Sequence, residues 1–213
     1  NEPALLATNH LEYAWSPDYP LFCDMSLKLP RGSVIHLQGE MGSGKTTLAL
    51  LLAGLLKPGA GDIVFAEEKM QFQDGSSFAA DGISYTFQFP EHQFLLPTFR
   101  RELEFQEQHE KLPAILNLLL KFGLTEDIID EPLADLPRGY RRLLALLELL
   151  AGEQKILLLD EPFIGLDIPT RTRLIELLGE LRHPERSFVV IDHLLSSEEL
   201  GADLQLKLKR PFQ

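Results

Sequence analysis

The chain has 213 residues, 45% of them hydrophobic and 24% charged, with a single cysteine. That is the composition of a globular domain able to bury a sizeable core, and a lone Cys23 excludes an internal disulfide framework. Asp and Glu outnumber Lys and Arg by 32 to 20, for a net charge of −12, so the surface repels nucleic-acid phosphates and anionic lipid and no nucleic-acid partner is expected.

No run reaches the ~18–20 apolar residues of a membrane span; the richest, 143–152, is broken by Glu148. The chain opens on Asn1 with no basic stretch leading into an apolar one, so no signal peptide is expected. Direct membrane insertion is not expected either, and any link to a membrane runs through a partner.

Residues 33–38 (SVIHLQ) read as a short buried strand, 39–46 as a Gly-rich turn, and 47–56 as a helix stopped by Pro58-Gly59. Residues 63–66 and 82–87 (GISYTF) read as further strands. The pattern turns helical from Glu91 to about Gly123, clearest over 112–122, and again over 141–151. Residues 155–160 (KILLLD) form a continuous apolar strand, as expected where both sheet faces are covered. A helix over 170–181, a core strand over 187–192 (SFVVID) and an alternating edge strand over 204–209 complete the chain. Strands alternating with helices give an α/β class with a mainly parallel core sheet; the helical stretch 91–150 interrupts the alternation as a subdomain.

The strongest chemical signal is Gly39-Glu40-Met41-Gly42-Ser43-Gly44-Lys45-Thr46, a full match to G-x-x-x-x-G-K-[ST] between an apolar strand and a helix. Glycines let the backbone curl so that successive N–H groups converge on phosphate oxygens, and the helix start adds its positive dipole end. Lys45 is expected to reach the β- and γ-phosphates, and Thr46 to hold Mg²⁺. Asp160-Glu161 ends the strand 156–160 at the sheet edge where ligands bind in such folds. Asp160 suits Mg²⁺, and Glu161 is placed to polarise the attacking water. Gln88, Asp167 in Pro162-Phe163-Ile164-Gly165-Leu166-Asp167, and His193 each lie just past a core strand. Singly they read as a loop glutamine, a helix N-cap and a loop histidine; in this order and phase they point to one site.

From about Leu11 to Leu208 the chain resembles the ATP-binding subunits of ABC transporters. GEMGSGKTT (39–47, closing on Thr47) looks like Walker A, ILLLDEP (156–162) like Walker B, FIGLD (163–167) like the D-loop, and His193 in VVIDH like the switch histidine. The resemblance implies a P-loop NTPase, RecA-like parallel core sheet with an N-terminal antiparallel β subdomain and an inserted helical subdomain: one ATPase domain, with β subdomain and P-loop core over 1–90, helices over 91–150, and Walker B and switch histidine over 151–213. It implies ATP and Mg²⁺ as ligands. Glu161 is then the catalytic glutamate, His193 contacts the γ-phosphate, and Thr46, Asp160 and Gln88 hold the metal. Trp15 sits where the family stacks an aromatic on adenine, with Tyr13 and Tyr19 as rivals. Implied partners are an integral-membrane subunit and a second ABC ATPase subunit, in a homo- or heterodimer at the cytoplasmic face of the cell membrane.

The segment 86–105 (TFQFPEHQFLLPTFRRELEF) is similar to the energy-coupling-factor and cobalt-type subfamily, with its Q-x-P-E-x-Q pattern and a following T-x-x-x-E. Gln88, Pro90, Glu91, Gln93, Thr98 and Glu102 fit, which implies uptake of a vitamin or metal ion. Gln213 follows the last strand closely, so the C-terminal dimerisation helices of many such proteins are not expected. One motif departs from the family. Where L-S-G-G-Q belongs, the chain has Leu136-Pro137-Arg138-Gly139-Tyr140. Pro137 offers neither hydroxyl nor N–H. Arg138 either supplies a guanidinium to a facing phosphate or blocks its approach.

Overall fold

The structure, a computed structural model, describes residues 4–72 and 81–209. Two compact units emerge. Asn1–Tyr85, Gln154–Glu161 and Leu178–Gln213 form the first; Thr86–Glu153 and Pro162–Leu177 form the second.

The first unit holds two sheets. β1 (Leu6–Ser16), β2 (Tyr19–Leu29), β4 (Ala60–Phe65) and β5 (Glu68–Lys69) make an antiparallel sheet in the order β2-β1-β4-β5. A five-stranded sheet follows the order β6-β7-β8-β3-β9, from β3 (Val34–Gly39), β6 (Ile83–Thr86), β7 (Ile156–Asp160), β8 (Ser187–Ile191) and β9 (Leu204–Leu208). β3 runs parallel to both β8 and β9, and β7 parallel to β8. Every residue of β7 and β8 is buried, which explains why they read as unbroken apolar runs rather than alternating ones. β9 alternates because it closes the edge. One core joins Leu6 and Leu11 of β1, Ile35 and Leu37 of β3, Leu48 and Leu51 of α1 (Lys45–Leu52), Leu158 of β7 and Val189 of β8. α1 is shorter than the predicted 47–56. Gly54, at φ 77°, ends it, and the N–H groups of Leu55 and Leu56 turn back to the Leu50 carbonyl.

The second unit is helical: α2 (Phe99–Phe105), α3 (Leu112–Lys121), α4 (Arg138–Leu150) and the start of α5 (Ile168–Leu181). The predicted helical stretch from Glu91 is broken into a 3₁₀ turn, Pro90–Gln93, and then α2. Thr98 restarts the helix, its hydroxyl accepting from Arg101 N. The core of this unit is built from Phe99, Leu103, Ile115, Leu119, Leu143 and Leu147.

Candidate active site

β3 delivers the chain to the loop, and the loop's glycines set its curl. Gly42 and Gly44 take φ 79° and 91°, conformations that carry little steric cost only without a Cβ. A Cβ at Gly39 would stand 2.8 Å from the Leu208 carbonyl oxygen, whereas at Gly42 it would meet open space. Ser43 is buried, while Glu40, Met41, Gly42 and Thr46 are exposed at the mouth. Lys45 Nζ donates to the Gly39 carbonyl at 2.7 Å and the Glu40 carbonyl at 3.0 Å, arching over the loop it follows. Thr47 is buried in α1.

The Thr46 hydroxyl donates to Asp160 Oδ2 at 2.9 Å, so helix start and strand end meet at one carboxylate. The same oxygen accepts from the Tyr85 hydroxyl at 2.9 Å. Burial, then the Asp160 charge, push the Tyr85 phenol far above its ordinary value, so it stays a donor. Tyr85 is a site residue that the motifs do not reveal. Its only sequence signal is its place in β6, two residues past the buried Ile83.

Glu161 follows at φ 53°, a left-handed backbone that costs a non-glycine residue about 1–2 kcal/mol. Its N–H donates to the Ile191 carbonyl at 2.9 Å, which fixes the turn out of β7 against the end of β8. From that end His193 Nδ1 reaches Glu161 Oε1 at 2.7 Å, with the histidine side chain 60% exposed and the glutamate 13%. Burial raises the Glu161 carboxyl above its ordinary value, and the His193 hydrogen bond acts in the opposite direction. A buried, raised carboxylate held by an imidazole is suited to accepting a proton from water.

Hard oxygen donors at Thr46 and Asp160 fit Mg²⁺. Among the described residues no three or more His, Cys, Asp or Glu gather as a metal cluster. A magnesium ion carried by nucleotide phosphates needs only one or two protein oxygens, so the pair present is sufficient. Trp15, on β1, is 62% exposed and meets Tyr13 edge-on at 5.3 Å; Tyr19 is exposed too, while Tyr13 packs on the core. Trp15 and Tyr19 therefore keep a ring face available, and Tyr13 is engaged in packing.

The second unit carries the remaining predicted residues. Gln88 is exposed between β6 and the 3₁₀ turn. Asp167 caps α5, its Oδ1 accepting from Thr170 N at 2.8 Å. Glu102 of the T-x-x-x-E element accepts the N–H groups of Leu95 and Leu96, pinning the loop ahead of α2. α4 starts at Pro137 with no side-chain cap. Arg138 does not extend freely from that start: its Nε donates to Glu91 Oε1 at 2.7 Å, and its guanidinium lies 5.0 Å from the centre of the Phe89 ring. Gly139 packs so closely that a Cβ there would stand 3.1 Å from the Gly165 carbonyl oxygen.

A family model described as "ABC transporter" matches residues 22–164. The energy-coupling factor transporter ATP-binding protein EcfA2 of Lactobacillus johnsonii is 30% identical over 213 residues, 93% of this chain and 73% of that protein. The putative HMP/thiamine import ATP-binding protein YkoD of Bacillus subtilis is 32% identical over 190 residues, 88% of this chain and 34% of that protein. Among solved structures, cbiO1 of Clostridium perfringens, part of the ABC transporter complex cbiONQ, superposes with a TM-score of 0.82 at 25% identity, covering 100% of this chain and 88% of that one. Family model, relatives and backbone thus agree, and the chain belongs to the ABC transporter family, among its ATP-binding subunits.

Proposed function

We propose that this ABC ATPase binds ATP with Mg²⁺, hydrolyses it in a two-subunit sandwich, and thereby powers uptake of a vitamin or metal ion through an integral-membrane partner. The observation that carries the reading is the convergence of Thr46 on Asp160 at 2.9 Å, one residue before the Glu161 that His193 meets at 2.7 Å. The loop amides of 39–46 and Lys45 bind the phosphates. Glu161 orients a water and accepts its proton, and His193 holds Glu161 in register before contacting the γ-phosphate. Trp15 stacks on the adenine. Magnesium, when bound, neutralises charge on the phosphate oxygens, held by Thr46 and Asp160, with Gln88 in the role the family pattern implies.

The names of the relatives support the direction and the solute class: one is an energy-coupling factor transporter protein, another an HMP/thiamine import protein. Among the described residues no helix is long and apolar enough to cross a membrane, so the proposed place is peripheral, on the cytoplasmic face, through the membrane partner. The signature segment supports a heterodimer. Pro137 brings no hydroxyl to cap α4, and Arg138 is engaged by Glu91 within its own chain. The site that this segment completes on a partner is slow; the site built on this chain's own loop works when the partner brings a standard signature.

Glu161→Gln tests the catalytic assignment. ATP affinity is expected to hold within a few-fold while hydrolysis falls by about 10² or more. Undiminished hydrolysis would remove Glu161 from its role.

A further inference from the structure

β3 carries a histidine in its middle. His36 is fully buried, on the strand face opposite Ile35 and Leu37, and it uses both ring nitrogens. Nε2 lies 3.1 Å from the Asp192 carbonyl oxygen, and Nδ1 lies 2.9 Å from Ser197 Oγ. A carbonyl only accepts, so Nε2 carries a hydrogen and donates it there, and Nδ1 shares a hydrogen bond with the Ser197 hydroxyl. These two contacts bracket the loop that bears His193. Inside the bracket, Asp192 Oδ1 accepts the N–H groups of Leu194 and Leu195 at 2.7 and 2.8 Å. Ser196 and Glu199 close the far end, each accepting the other's N–H through its side chain. His193 projects from the braced loop towards Glu161.

We propose that His36 is a positioning residue for His193: it fixes the loop 192–197 to the strand that leads, three residues later, into the phosphate loop. The geometry of the Glu161–His193 pair then depends on a side chain that touches neither. An apolar residue at position 36 would fill the same space and leave the Asp192 carbonyl and the Ser197 hydroxyl without these partners. A catalytic contact loosened by such a change loses turnover rather than affinity, because ground-state binding of ATP rests on the loop amides and Lys45. The inference rests on the reading of Glu161 and His193 given above, and the experiment separates the two.

The full chain, assembled with its partner subunits, is compared as wild type, His36→Leu, His36→Gln, Ser197→Ala and His193→Ala. Each is followed by ATP hydrolysis and by amide hydrogen exchange at Leu194 and Leu195. His36→Leu is expected to lower kcat about tenfold, leave KM for ATP within about twofold, and speed exchange at both amides about tenfold. His36→Gln, whose amide nitrogen reaches the Asp192 carbonyl, is expected to recover most of the loss. Unchanged exchange in His36→Leu, or kcat within twofold of wild type while His193→Ala is impaired, overturns the inference. Loss of kcat with a matching rise in KM and no rescue by glutamine overturns it as well. An unimpaired His193→Ala instead removes the catalytic role of His193, and the exchange data alone then decide whether His36 braces the loop. If His36→Leu does not fold, Ser197→Ala carries the same test, since it removes only the Nδ1 partner: faster exchange and lower kcat support the inference, and no change in either overturns it.

Discussion

Arg138 Nε donates to Glu91 Oε1 at 2.7 Å, joining the arginine of the altered signature to the glutamate of the Q-x-P-E-x-Q segment. Arg142 approaches the other Glu91 oxygen at 3.4 Å; Glu91 and Arg142 are each 1% exposed at the side chain, and Arg138 is 52% exposed. Glu91→Ala, which leaves the buried Arg142 without this carboxylate, is expected to cost about 3–5 kcal/mol. Arg138→Gly removes a half-exposed partner and is expected to cost about 1 kcal/mol. Burial alone would raise the Glu91 carboxyl, but the hydrogen bond from Arg138 and the charge of Arg142 hold it below its ordinary 4.5. A lowered carboxyl contributes stability that is complete above the ordinary value and drains as pH falls through the lowered one. Urea titrations across the acid range are therefore expected to show wild type losing more stability than Arg138→Gly.

Rebuilding the family pattern tests the heterodimer reading. Pro137→Ser, Arg138→Gly and Tyr140→Gln together restore a hydroxyl cap and open the helix start. Phosphate release by the assembled complex is expected to rise about tenfold. No change, or a loss, counts against the impaired-site reading.

The acid limb of hydrolysis reports on Glu161, which works as a base only when ionised. Burial raises its carboxyl above the ordinary 4.5, and His193 offsets part of that rise. The limb is expected above 4.5 in wild type. In His193→Ala it should move to higher pH still, because the interaction favouring the charged form is gone. A limb that stays put on removing the histidine argues against the pair.

Tyr85→Phe removes a hydroxyl that donates, beside that of Thr46, to Asp160 Oδ2. The carboxylate then turns more freely where the metal is proposed to sit. The magnesium concentration for half-maximal hydrolysis is expected to rise several-fold, with ATP affinity at saturating magnesium little changed.

The core strands are legible because burial on both faces writes itself as the unbroken apolar runs 156–159 and 188–191. The phosphate loop is legible because its glycines answer a backbone requirement. Residues whose roles arise from lateral register escape the pattern. Tyr85 meets Asp160 from the strand beside β7, and His36 meets Asp192 and Ser197 from the strand beside β8. Neither contact leaves a local trace. Helix ends were set by features weaker than proline: Gly54 closes α1 before Pro58, and Thr98 opens α2 inside a stretch that reads as continuous helix. α4 begins three residues before the predicted 141 because Pro137, fixed in φ, stands ahead of its first turn.

The close approach of Gly139 to the Gly165 carbonyl sets a rule for anyone re-engineering the segment 136–140 at the start of α4. Any side chain at 139 starts 3.1 Å from a neighbouring peptide oxygen, so that peptide must give by a few tenths of an ångström before position 139 can vary.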